Sequence, residues 1–139
     1  MSSLIAQAQA ELSAFDHDSD PHHLRVTATR LATVNLLLPA DPGDRLELRR
    51  QTLALWLALM TRVDKYIAGL RMPVVGDKRS DRERNRLFWQ CELVDREATA
   101  LAQQFIQRYY TGSPVDIEEL QVVLSASDLS NSHRALLFD

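Results

Sequence analysis

Two apolar series dominate the middle of the chain. The first is Leu46, Leu53, Trp56, Met60, Val63, Ile67 and Leu70; the second is Leu87, Cys91, Val94, Ala98, Leu101 and Phe105. Both climb in steps of three and four, apart from Arg49, which occupies one rung of the first. A period of about 3.6 residues keeps such positions on one face of an α-helix, so each series predicts a long helix with an apolar stripe. One polar loop separates them. Two striped helices joined by a short connection fold back on each other, and an antiparallel hairpin is the expected centre of the fold.

The flanks predict shorter helices. Ile5, Ala8, Leu12 and Phe15 form a stripe over residues 3–15. Asp16-His17-Asp18-Ser19-Asp20-Pro21 interrupts it, with Asp20 suited to an N-cap and Pro21 to a first helical turn. A second helix then extends to about residue 38, with Leu24, Ala28, Leu31, Asn35 and Leu38 on one side. Pro39-Ala40-Asp41-Pro42-Gly43 reads as a stop and turn, and Asp44 as the cap of the third helix. That helix should end near residue 69, because the residue before Pro73 avoids helical backbone angles. The fourth is expected over 81–110. Ser113 and Asp116 have the spacing of a capping box, with Pro114 opening a fifth helix to about residue 125. Asp128 is expected to cap a last short helix ending in Leu136-Leu137-Phe138. No alternation of period two competes, so the chain reads as all-α: an antiparallel bundle of four to six helices in one domain spanning 1–139, built on the hairpin of helices three and four.

Residues 53–60 are apolar all round the helix, which a helix with one wet face should not be. Either the chain's own helices surround this stretch, or a second copy covers it. A homodimer through this segment, or through Leu136, Leu137 and Phe138, is the second expectation.

Composition narrows the class. With 45% hydrophobic and 25% charged residues, the chain resembles an ordinary globular protein, and 139 residues suffice for a real core. A net charge of −3 argues against a surface given over to nucleic acid or anionic lipid. There is no basic leader and no apolar run long enough to span a bilayer, so a cytoplasmic protein without signal peptide or membrane contact is expected. Fourteen Arg against two Lys reads first as the signature of a GC-rich bacterial genome. The single cysteine, Cys91, excludes an internal disulfide or a CxxC metal knuckle. Its place on an apolar stripe suggests a buried, inert thiol.

Candidate chemistry is thin. Asp16, His17, Asp18, Asp20, His22 and His23 are ligand types for zinc, nickel or manganese. Within them His17, Asp18, His22 and His23 are the weak metal candidates. The calcium-loop template fails on Pro21 and Thr27, which stand where glycine and a bidentate Glu belong. The plainer reading is a solvated loop whose Asp20 caps a helix. Lys78, Arg79, Arg82, Arg84 and Arg86 precede Phe88 and Trp89, a pairing used on phosphates and bases. Asp77, Asp81 and Glu83 lie among them, so helix salt bridges or an acidic protein partner are the competing uses. Arg79, Arg82 and Arg86 share a face if the helix begins early enough. Val74 and Val75 stand in the connecting loop and need cover from some source.

His133 has Asp128, Ser130 and Ser132 nearby in sequence, but catalytic triads are assembled from distant segments. The phosphate-loop, nucleophile-elbow and Glu-x-x-His di-iron patterns are absent. Asn35, polar on an apolar face, either fixes a partner's register or finds a backbone carbonyl inside the bundle. Tyr109 and Tyr110 are expected to close one end of the bundle, with hydroxyls in water.

The expectation is a small non-enzymatic interaction protein without cofactor: an adaptor, secretion-type chaperone, immunity or inhibitor protein, or regulatory subunit, with a protein partner. Candidate partner-binding residues are Val74, Val75, Arg79, Arg82, Arg86, Leu136, Leu137 and Phe138. The alternatives are a nucleic-acid-binding regulator using the 79–86 run, the less favoured by charge, and a metal-binding protein using the 16–23 loop.

Overall fold

The two apolar stripes meet. They belong to α3 (Leu46–Arg71) and α4 (Asp81–Tyr109), which pack along each other as an antiparallel hairpin. Before them come α1 (Ser2–Asp18) and α2 (His22–Leu37), a second and shorter hairpin; after them come α5 (Pro114–Ala126) and α6 (Asn131–Phe138). The computed structural model describes residues 2–39, 46–72 and 75–138, and among these there is no strand. The expected Asp44 cap and candidate Val74 lie outside the described residues.

α1 runs three residues past the expected end. Distant partners hold its polar last turn. The Arg62 guanidinium donates to both carboxylate oxygens of Asp16 at 2.8 and 2.7 Å, and the His23 ring sits between Asp18 and Glu11 at 2.9 Å from each. Ser19, with φ of 59°, then turns the chain. Asp20 does cap, but from one residue further out. Its carboxylate accepts from the His22 amide at 3.0 Å, and α2 begins after Pro21 rather than on it.

Serines cap the later helices. The Ser80 hydroxyl accepts from the Glu83 amide at 3.1 Å and Ser113 from the Asp116 amide at 3.2 Å. Only half of the expected capping box forms, because the Asp116 carboxylate turns to Thr111 and Arg49 instead. α6 is capped by Ser130, which accepts from His133 at 3.2 Å; Asp128, the expected cap, pairs with Lys65 at 3.0 Å. Its neighbour Ser130 stands at the right distance from the first turn, and Asp128 does not.

The all-round apolar stretch of α3 is covered from within. Leu53, Leu55, Trp56, Leu57, Leu59 and Met60 are buried, and only Ala54 and Ala58 retain substantial exposure. α1, α2, α4 and α5 all pack on α3, which is why no side of it needs to be polar here. Each such leucine contributes about 1.5–3 kcal/mol by leaving water. Asn35 takes the internal option. Its amide nitrogen donates to the Leu101 carbonyl at 3.3 Å and its oxygen accepts from the Trp56 indole at 3.0 Å.

The odd rung, Arg49, is 3% exposed. It donates to the Tyr109 carbonyl at 2.8 Å, to Asp116 at 3.1 Å and to the Glu119 carboxylate, and lies 4.1 Å over the Tyr110 ring. One guanidinium thus joins α3 to the end of α4 and the start of α5. Both tyrosines are buried, contrary to the expectation of hydroxyls in water. The Tyr109 hydroxyl donates to the Leu38 carbonyl, and burial pushes the Tyr110 phenol far above its usual range. The rings close the bundle end so fully that the hydroxyls go in with them.

Candidate functional site

α1 and α2 span 17 and 16 residues; α3 and α4 span 26 and 29. At about 1.5 Å per residue, the long hairpin outreaches the short one by roughly 15 Å. The direct hydrogen bonds between α2 and α4 cluster near the end of α2, where Asn35 meets Leu101 and Leu38 meets Tyr109. Towards the start of α2 the two helices part around a cleft of about 830 Å³. Asp20, His22 and Arg25 form one wall, Glu83, Arg86, Gln90 and Glu97 the other, and Tyr66, Leu87, Cys91 and Val94 the floor.

Two clusters that lie more than fifty positions apart in sequence therefore share one cleft. His22 comes from the 16–23 loop, while Arg79 and Arg86 come from the basic run. The sequence offered one signal for this, the unequal lengths of the helices, but it does not reveal which side chains the step brings together.

The basic run divides. α4 starts too late for Arg79 to share its face. Arg79 instead grips Asp77 through two nitrogens at 3.0 and 2.9 Å and donates to the Tyr66 hydroxyl at 3.2 Å. This contact holds the Asp77 carboxyl at about 2, well under its ordinary value. Arg84 pairs with Asp81 and with the Arg79 carbonyl. Arg82 and Arg86 are exposed and, like Arg25, have no ion-pair partner among the described residues. Glu83 and Glu97 on the cleft wall likewise have none there.

Apolar groups surround these charges. Val75 is fully exposed at the hairpin end, beside Gly76, whose φ of +96° suits only glycine well. Met72, just after α3, is 80% exposed, and Trp89 and Leu93 stand half-open on α4. Between positions 71 and 89 the sequence holds six Arg or Lys against three Asp or Glu, whereas the remainder holds ten against sixteen. The hairpin end is the positive pole of a negative protein.

The other candidates are placed as follows. Among the described residues no three His, Cys, Asp or Glu side chains gather as metal ligands. His17 is exposed and His22 borders the cleft. Both ring nitrogens of His23 face carboxylates, Asp18 and then Glu11, which raise its pKa and favour an imidazolium that cannot ligate. Cys91 is 3% exposed, and burial pushes its thiol up to about 11, so it forms floor rather than nucleophile. Of the C-terminal trio, Leu137 is buried, Phe138 packs on the core and Leu136 faces out. The ring of His133, buried in α6, reaches not its sequence neighbours but Asp95 of α4 at 2.8 Å.

No helix among the described residues is long and apolar enough to cross a membrane. Compared with known proteins, the chain matches no family model, no curated protein and no solved structure.

Proposed function

We propose that this is a non-enzymatic protein-interaction module of the bacterial cytoplasm that engages an acidic protein partner through the end of the α3–α4 hairpin. The observation that carries the reading is the coincidence, on one projecting end, of surplus positive charge with exposed Val75, Met72 and Trp89. Interface centres favour apolar and aromatic anchors with arginine, and complementary charge speeds encounter. The carboxylates interspersed in the run favour a protein with mixed charge over the uniform charge of a nucleic-acid backbone.

The test is affinity capture from the native host at stepped salt, using wild type and a Lys78→Glu, Arg82→Glu double variant. One partner should be retained by wild type, released by salt, and lost with the variant while thermal unfolding stays unchanged. Equal capture by both proteins would count against the hairpin end. A second reading, a homodimer, has its own support: α5 leaves Val115, Ile117 and Val122 about half exposed or more. Light scattering decides it, and a monomer at tens of micromolar removes it.

A further inference from the structure

α6 is eight residues long, and helices under about twelve residues are marginal in water without tertiary support. Its packing is on α4, with no comparable contact to another helix among the described residues. Two side-chain ties fasten it there. The buried His133 ring places Nε2 2.8 Å from an Asp95 carboxylate oxygen, and the Gln103 side-chain amide donates to the Leu136 carbonyl at 3.2 Å. Thr99 lies four positions from both Asp95 and Gln103, so the three share one face of α4 and α6 lies over it. That seam is not fully satisfied. Thr99 Oγ1 and His133 Nδ1 are both buried without a hydrogen-bond partner among the described residues. Burying such atoms has a cost that opening returns, because water can bond them. The docked helix is held by few ties and opposed by two orphaned atoms.

We propose that α6 is a proton-controlled latch: it lies closed on α4 while His133 carries both ring protons, and opens locally, with the rest of the bundle intact, when one of them is lost to solvent. The proposal goes beyond the interaction-module reading and does not depend on it. The charged groups that act on the ring are carboxylates. Asp95 meets it from α4 and Asp64 of α3 adds its charge. Arg134, the next residue of α6, is turned to the Leu129 carbonyl, and Lys65 of α3 to Asp128. An imidazolium completes an ion pair in this setting, whereas a neutral ring keeps a hydrogen bond at most. The closed state therefore binds the proton more tightly than the open one, which is the direction in which the His133 pKa is shifted. By linkage, each pH unit above the open-state value multiplies opening at most about tenfold, until the closed-state value is passed. Opening releases the buried Leu137 and the core-packed Phe138. While the latch is shut only Leu136 of that apolar trio stands out, so the proton decides whether the segment can be contacted as a unit.

Hydrogen exchange tests this, because it reads local opening separately from global unfolding. Amide protection over residues 129–138, corrected for the intrinsic pH dependence of exchange, is compared with that of residues 53–60 in α3 at about pH 6 and about pH 8.5. Wild type should lose roughly threefold or more of its α6 protection between the two, and α3 much less. His133→Gln and Asp95→Asn should each level the α6 profile, with α3 protection reporting that the bundle is still folded. The His133 ring signals in NMR should titrate at higher pH than in the urea-unfolded chain. An α6 protection indifferent to pH, a loss that α3 shares in full, a slope that either variant keeps, or a ring that titrates no higher than in the unfolded chain overturns the latch.

Discussion

Arg49 and Asp116, 67 residues apart in sequence, are joined by a hydrogen bond of 3.1 Å inside the protein. Burial works against the Arg49 charge, and Asp116, Tyr110 and Glu119 outweigh it, so its pKa is raised. The Asp116 carboxyl is lowered, first by the Thr111 amide and then, against burial, by Arg49. Breaking such a group by removing one member costs about 3–5 kcal/mol, because the other charges stay buried and unpaired. Arg49→Ala is expected to lose that much in urea unfolding, and Arg49→Lys to recover little, since one ammonium lacks the planar fork that reaches several acceptors. A loss under 1 kcal/mol in Arg49→Ala would show the network to be dispensable.

Asn35→Ala should cost about 1–3 kcal/mol by leaving the Trp56 indole N–H without an acceptor in the core. Trp56 is fully buried and Trp89 exposed, so the loss should also alter the blue-edge part of the tryptophan emission and leave the rest.

His133 makes stability depend on pH. The Asp95 hydrogen bond raises its pKa above 6.5, burial opposes this, and the charges of Asp95 and Asp64 add to the rise. A group with a raised folded pKa stabilises fully below its unfolded value and loses that contribution as pH climbs through the folded value. The urea midpoint should therefore fall as pH rises above 6.5. His133→Gln should flatten most of that fall, leaving a residue from His23, which is raised in the same sense. An identical slope in the variant would refute the assignment.

Cys91 should resist thiol reagents near neutral pH. With a pKa of about 11, its thiolate fraction is roughly a hundredfold or more below that of a free cysteine, and burial slows access further. Labelling should become fast only on unfolding in urea. Rapid labelling of the native protein would mean that the cleft floor opens.

The sequence carried the helices well because their signal is local. Apolar spacing predicts α3 and α4 nearly to their ends, and Ser113 with Pro114 marks the start of α5. Arg49 was visible as a broken rung, but Tyr109, Asp116 and Glu119 were not legible as its partners, since they lie at least 60 positions away. His133 shows the same limit. Its neighbours Ser130 and Ser132 suggested one grouping, and folding supplied Asp95, 38 positions earlier. Of the candidate interaction site, the basic and apolar residues could be listed from sequence. Their division into paired Arg79 and unpartnered Arg82 and Arg86 depends on where α4 starts, and the placing of Arg25 and Arg86 on one cleft depends on how far α2 reaches.

The last turn of α4 is where α2, α3 and α5 are tied. Arg49 of α3 bonds the Tyr109 carbonyl, the Tyr109 hydroxyl holds the carbonyl of Leu38 that follows α2, and Thr111 just beyond engages Asp116 of α5. At the opposite end of α4, among the described residues, the ties run to α3 alone, as from Arg79 to Tyr66. Tolerance to added sequence should differ accordingly: a few residues inserted beside Gly76 lengthen a loop that joins two helices, whereas the same few beside Gly112 would pull three helices out of register at once.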